Sequence, residues 1–61
     1  MNSRQIIEYI DQNPHCVVDD PQDSRYCACD DCAKARVWIK AHPDVWQIYQ
    51  DFGKYKALRA L

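Results

Sequence analysis

Cys27-Ala28-Cys29-Asp30-Asp31-Cys32 is the stretch that decides how this chain is held together. Three thiols in six residues, with a fourth at Cys16 beside His15, suit a metal better than disulfides. Zinc takes four soft or borderline ligands in a tetrahedron, each thiolate about 2.3 Å from the ion. Cys29 and Cys32 can turn around one ion, with Asp30 and Asp31 carrying the turn. Cys32 then falls in the first turn of a following helix, where the amide dipoles favour a thiolate. Cys27 joins from the preceding segment and Cys16 closes the set. His15 is the substitute ligand for Cys16, since two adjacent residues rarely both reach one metal. A four-cysteine shell leaves no coordination position open, which points to structural zinc rather than a catalytic ion. An iron–sulfur cluster would use the same thiolates.

Size makes such a site one of the usual remedies for a marginal core. The chain has 61 residues, which is one domain, residues 1–61. A domain of that length buries only about 60% of the surface its unfolded chain exposes. A structural zinc ion adds about 10–16 kcal/mol of binding energy in finger peptides, and that energy counts as folding energy. Disulfides are the competing use and belong to exported chains. The start of the chain, Met1-Asn2-Ser3-Arg4-Gln5, carries no apolar run longer than Ile6-Ile7 behind it. Neither an export signal nor a membrane span is expected, and the expected compartment is cytoplasmic. A Cys27–Cys29 bridge would be strained, and the other pairings would crowd two bridges into six residues.

The net charge of −1 conceals an asymmetry. Residues 1–31 carry Arg4 and Arg25 against seven acids, a balance of −5; residues 32–61 carry six cations against Asp44 and Asp51, a balance of +4. The simpler account is intramolecular, an acidic loop facing basic helices, with Lys34 and Arg36 offsetting a zinc–tetrathiolate. The sharper one is nucleic-acid contact through Lys34, Arg36, Lys40, Lys54, Lys56 and Arg59, against which the near-neutral total argues.

Outward from the cysteines, the pattern is helical. Ser3 to Asn13 reads as a helix capped by Asn2 or Ser3 and stopped by Pro14, with Ile6, Ile7, Tyr9 and Ile10 in one stripe. Residues 15–29 pass through Asp19-Asp20-Pro21-Gln22-Asp23-Ser24, which is turn composition, and are expected to form a zinc-bound loop or short β-hairpin. A central helix follows from Asp30 or Asp31 to Ala41, apolar around most of its circumference and so expected between neighbours. Pro43 opens a third helix whose core stripe is Val45, Ile48, Tyr49 and Phe52. The register fails at Gly53, beyond which Tyr55, Leu58 and Leu61 form an offset stripe on a tail helix.

The remaining chemistry-bearing residues have ordinary readings. His42 is expected to cap a helix, Asp30 and Asp31 to start one, and Tyr26 to join the core. Asp19, Asp20 and Asp23 lack the alternation of a calcium loop. Trp46 lies off its helix's stripe and is either a half-exposed packing residue or a binding anchor, tryptophan being enriched at interface hot spots. Tyr55, Leu58 and Leu61 either fold back on the first helix or face another chain.

The expected fold is therefore mainly α, a small three-helix domain with the zinc-bound loop or hairpin between helices 1 and 2. The expected function is a zinc-stabilised protein–protein interaction module of adaptor or inhibitor type, with Trp46, Tyr55, Leu58 and Leu61 toward the partner and homodimerisation one route. A zinc-finger-like transcriptional regulator and a thiol redox switch are the alternatives. No nucleophile or acid–base pair suggests an enzyme.

Overall fold

In the computed structural model, which describes residues 1–61, four α-helices enclose one small core. They are α1 (Ser3–Gln12), α2 (Asp30–Ala41), α3 (Pro43–Phe52) and α4 (Lys54–Arg59), with a short 3-10 turn at Pro14–Val17. The mainly helical expectation holds, and the hairpin alternative is corrected: there is no strand. Residues 15–29 do not alternate between apolar and polar. Instead Asp20 accepts from the Gln22 amide and Asp23 from the Arg25 amide, each at 2.9 Å. These successive side-chain turns satisfy the backbone locally, where a strand would need a partner.

Helix α1 starts where a full capping box forms. The Asn2 side chain accepts from the Gln5 amide and the Gln5 side chain accepts from the Asn2 amide. Ser3 is thereby free for another task, and its Oγ accepts from the Trp38 indole N–H at 3.0 Å. Ile6, Ile7 and Ile10 bury fully. Each such side chain contributes about 1.5–3 kcal/mol on leaving water. From α2 come Cys32, Ala35 and Trp38, and from α4 comes Ala57.

Two expectations about the helices are corrected. Helix α2 is buried on one side only: Val37 is 67% exposed and Ala41 also lies outside. A chain this short does not supply enough elements to cover both flanks. The α3 stripe contributes no fully buried residue, and Phe52, expected in the core, is 69% exposed. Val45 and Tyr49 lean on the core instead, as does Trp46, which stacks on Tyr49 with ring centroids 5.2 Å apart.

The reason α3 stops short is Gly53, at φ 98° and ψ −176°. That combination is essentially confined to glycine. It turns the chain so that α4 runs back onto α1, burying Ala57 completely and half-burying Leu58. A polar network fastens the same junction. Tyr49 Oη donates to Asp11 at 3.2 Å, and Lys54 pairs with Asp11 at 3.5 Å.

The docking of α4 can be read from two substitutions. Ala57→Leu forces side-chain volume into a filled site and is expected to cost about 1–3 kcal/mol. Tyr55→Ala removes a ring that is 77% exposed and should stay within about 0.5 kcal/mol of the parent. Thermal melts of the two variants check the pair; equal losses would place α4 wrongly.

Burial first, and then the Asp11 charge, raise the Tyr49 hydroxyl above the ordinary tyrosine range. A raised folded-state value stabilises below the unfolded value and is lost as pH climbs through the folded one. Stability should therefore decline above about pH 10. Tyr49→Phe should remove one late phenolate from the ultraviolet titration and flatten that decline.

Candidate metal centre

The centre is assembled from three short segments. The 3-10 turn supplies His15, the end of the loop supplies Cys27, and the start of α2 supplies Cys29 and Cys32. His15, Cys27 and Cys32 offer ligand atoms that all lie within 4.8 Å of one another. Cys32 Sγ and His15 Nε2 are 3.7 Å apart. A tetrahedral zinc with Zn–S of about 2.3 Å and Zn–N of about 2.0–2.1 Å places such a pair about 3.6 Å apart. The donor set is soft sulfur with imidazole, which fits zinc.

Cys29 stands at the edge of this group. It is the N-cap of α2, and its sulfur accepts the Cys32 amide N–H at 3.5 Å. Its sulfur also lies 3.9 Å from Tyr9 Oη, which approaches Cys32 Sγ at 3.1 Å. Three cysteines and a histidine thus lie close together, an arrangement compatible with a metal site. Tyr9, projecting from α1, is the contact the sequence did not disclose. Once Cys32 is a thiolate, the hydroxyl donates to it, as outer-shell groups do around ligating atoms. The only hint in the sequence was a polar-tipped ring on an otherwise aliphatic stripe.

Cys16, the sequence's first choice as fourth ligand, takes a different place. It is completely buried among Ile6, Ile7, Ile10, Cys32, Ala35, Trp38 and Ala57, and it lies outside the group of three. The 3-10 turn explains the choice. The Cys16 amide bonds back to Asn13 at 3.0 Å, and in such a turn successive residues point about 120° apart. His15 therefore faces the loop cysteines while Cys16 faces the core.

The thiols differ in their proton affinities. The Cys32 amide and its neighbours lower the Cys29 thiol to about 7. Burial pushes the Cys32 thiol up to about 11 and also raises Cys16. The Tyr9 hydroxyl is raised well above its usual range, chiefly by its hydrogen bond to Cys32. A bound divalent cation would reverse the Cys32 direction, since coordinating thiols are deprotonated outright.

Half of the candidate nucleic-acid cations are already engaged. Arg36 donates to the Cys27 carbonyl at 2.9 Å and to Tyr26 Oη at 3.4 Å, with its guanidinium 4.6 Å from the Tyr26 ring centre. It clamps the end of the loop onto α2. Lys40 pairs with Asp19 at 3.4 Å, and Lys54 is held by Asp11. Lys34, Lys56 and Arg59 have no ion-pair partner. Of the candidate partner residues, Trp46 and Leu58 pack inward, whereas Tyr55 and Leu61 remain outside at 77% and 53% exposure. His42 ends α2, as expected, stacking on Trp38 at 4.6 Å. No helix is long and apolar enough to cross a membrane.

None of the protein-family models, curated proteins or solved structures compared with this chain matches it.

Proposed function

We propose that this chain is a small binding module whose fold is held by one structural zinc ion and whose partner is another protein. The zinc ligands in this reading are His15, Cys27, Cys29 and Cys32, with Cys29 swinging in from the edge to complete a three-sulfur, one-nitrogen shell. The observation that carries it is the meeting of the ligand atoms of His15, Cys27 and Cys32 within 4.8 Å of one another, from the 3-10 turn, the loop end and the start of α2. A filled four-ligand shell has no position for substrate or activated water, which favours a structural role. Large apolar side chains left outside, Val37, Phe52, Tyr55 and Leu61, favour binding to another chain. Engagement of Arg36, Lys40 and Lys54 within the molecule leaves the nucleic-acid reading with fewer free cations. That reading would return if a gel shift showed tight, steeply salt-dependent binding.

Elemental analysis of the purified chain should find about one zinc per molecule, and a strong chelator should unfold it, since metal-binding energy here is folding energy. His15→Ala, Cys27→Ser and Cys32→Ser should each lose the ion. Cys16→Ser should keep it and lose only core stability, by about 1–3 kcal/mol for a buried hydroxyl without a partner. A metal-free protein whose melting curve ignores the chelator would overturn the proposal. A Cys16→Ser variant that lost zinc while His15→Ala retained it would restore Cys16 as ligand.

A further inference from the structure

The four thiols are unequally open to solvent. Cys16 and Cys32 are completely buried, Cys27 is half-buried, and Cys29 is exposed. A reagent arriving from solvent therefore meets Cys29 first. Its sulfur is folded over the first turn of α2, where the Cys32 amide donates to it at 3.5 Å. The Cys27 and Cys32 side chains are both within hydrogen-bonding reach of it. Tyr9 Oη stands against the same pair, 3.1 Å from Cys32 Sγ and 3.9 Å from Cys29 Sγ.

Helix geometry decides which neighbour can bond to Cys29. Residues three apart on an α-helix have Cα atoms about 5 Å apart, from a rise of about 1.5 Å per residue and a radius of about 2.3 Å. A disulfide spans about 4.4–6.8 Å between Cα atoms, so Cys29 and Cys32 can join with little movement of the backbone. Cys27 is separated from Cys29 by Ala28 alone, a spacing that strains a bridge. Its carbonyl is also pinned by Arg36 at 2.9 Å.

We propose that Cys29 and Cys32 form a peroxide-responsive dithiol whose closure to a disulfide releases the ion. This inference rests on the zinc reading above and supplies the regulation of that site. The Cys29 thiolate attacks one oxygen of the peroxide. An S–O bond forms, the O–O bond breaks, and the departing hydroxide takes a proton from solvent to become water. The Cys32 thiolate then attacks the sulfenic acid on Cys29. An S–S bond forms, the S–O bond breaks, and the second hydroxide leaves as water in the same way. The two sulfurs together lose two electrons, and the peroxide gains them. Both sulfurs are then neutral, whereas the thiolate is the form that binds metal. The ion is left with His15 and Cys27, half of its shell, and dissociates. Cys16 takes no part, because it is sealed among the core side chains.

The test treats the full zinc-loaded chain with hydrogen peroxide beside a chromogenic zinc indicator. About one zinc should be released per disulfide formed, because the same two sulfurs serve both. Dithiothreitol with added zinc should return the chain to its starting metal content. Free thiols trapped with iodoacetamide under denaturing conditions locate the bond. Fragment mass spectra should place the label on Cys16 and Cys27 and show Cys29 joined to Cys32. Cys16→Ser should release zinc at the parent's rate. A bond through Cys27 or Cys16, zinc released without a disulfide, or an ion retained under excess peroxide would each overturn the proposal. The two readings fail separately. A chain purified without zinc that still closes the Cys29–Cys32 bond defeats the metal site and leaves the dithiol. A zinc-loaded chain that keeps its ion under peroxide defeats the dithiol and leaves the metal site.

Discussion

Between α1 and α2 lies a long connection whose only regular element is one 3-10 turn, and few groups attach it to the helices. At one end His15 and at the other Cys27 converge on Cys32, which is itself fully buried at the root of α2. Without an ion, this convergence is a set of polar groups whose mutual attraction is weak, one of them held above its usual proton affinity by burial. A bound divalent ion would tie the same atoms to one point, with binding energy that counts as folding energy. The side-chain turns at Asp20 and Asp23 shape the connection but do not anchor it, because their hydrogen bonds stay within the loop. Arg36 is a further tether, gripping the loop beside Cys27, and Lys40 pairs with Asp19 at the solvent side. The segment is thus seated at its start by Cys16 in the core and at its end by Arg36, with the sulfur and imidazole groups gathered between them.

The core's small size gives that attachment its weight. Eight residues are buried, and two of them, Cys16 and Cys32, are cysteines. One serves the core alone and the other serves both core and cluster. The hydrophobic centre and the candidate metal site therefore share a wall, and a change to either is felt by the other. Tyr9 extends the sharing to α1, since its ring leans on the core while its hydroxyl reaches the Cys32 sulfur. Trp38 does the same at the far end of α2, packing beside Ile6 and donating to Ser3.

How much of this could be seen in the residues alone varies by element. Helix α1 was fully legible, because Asn2, Pro14 and three isoleucines on one stripe leave little choice. Only the division of labour between Asn2 and Ser3 was hidden, since it depends on a tryptophan 35 residues away. The start of α2 and the cysteine cluster were legible from spacing. Which of His15 and Cys16 would face the cluster was not, because that depends on the tight turn set up by Pro14. The coverage of α2 and α3 was misjudged for a general reason: periodicity shows which face of a helix is apolar, not whether the chain has enough mass to cover it. Val37 and Phe52 are apolar residues that the fold has no neighbour left to shelter. The tail was open between two fates, and Ala57, a residue too small to draw notice in a hydrophobic pattern, decided it.

Gly53 is the sole glycine of the chain. A methyl group added there would meet nothing within 4 Å, so the position is not reserved for glycine by crowding. It is reserved by handedness, the sign of a single torsion angle. Any mirror-asymmetric residue of the natural series would resist that angle and steer α4 off α1, leaving the Ala57 seat vacant. The smallest helix of the molecule is thus aimed by an atom that is absent, its direction encoded in backbone chirality before any side chain fastens it.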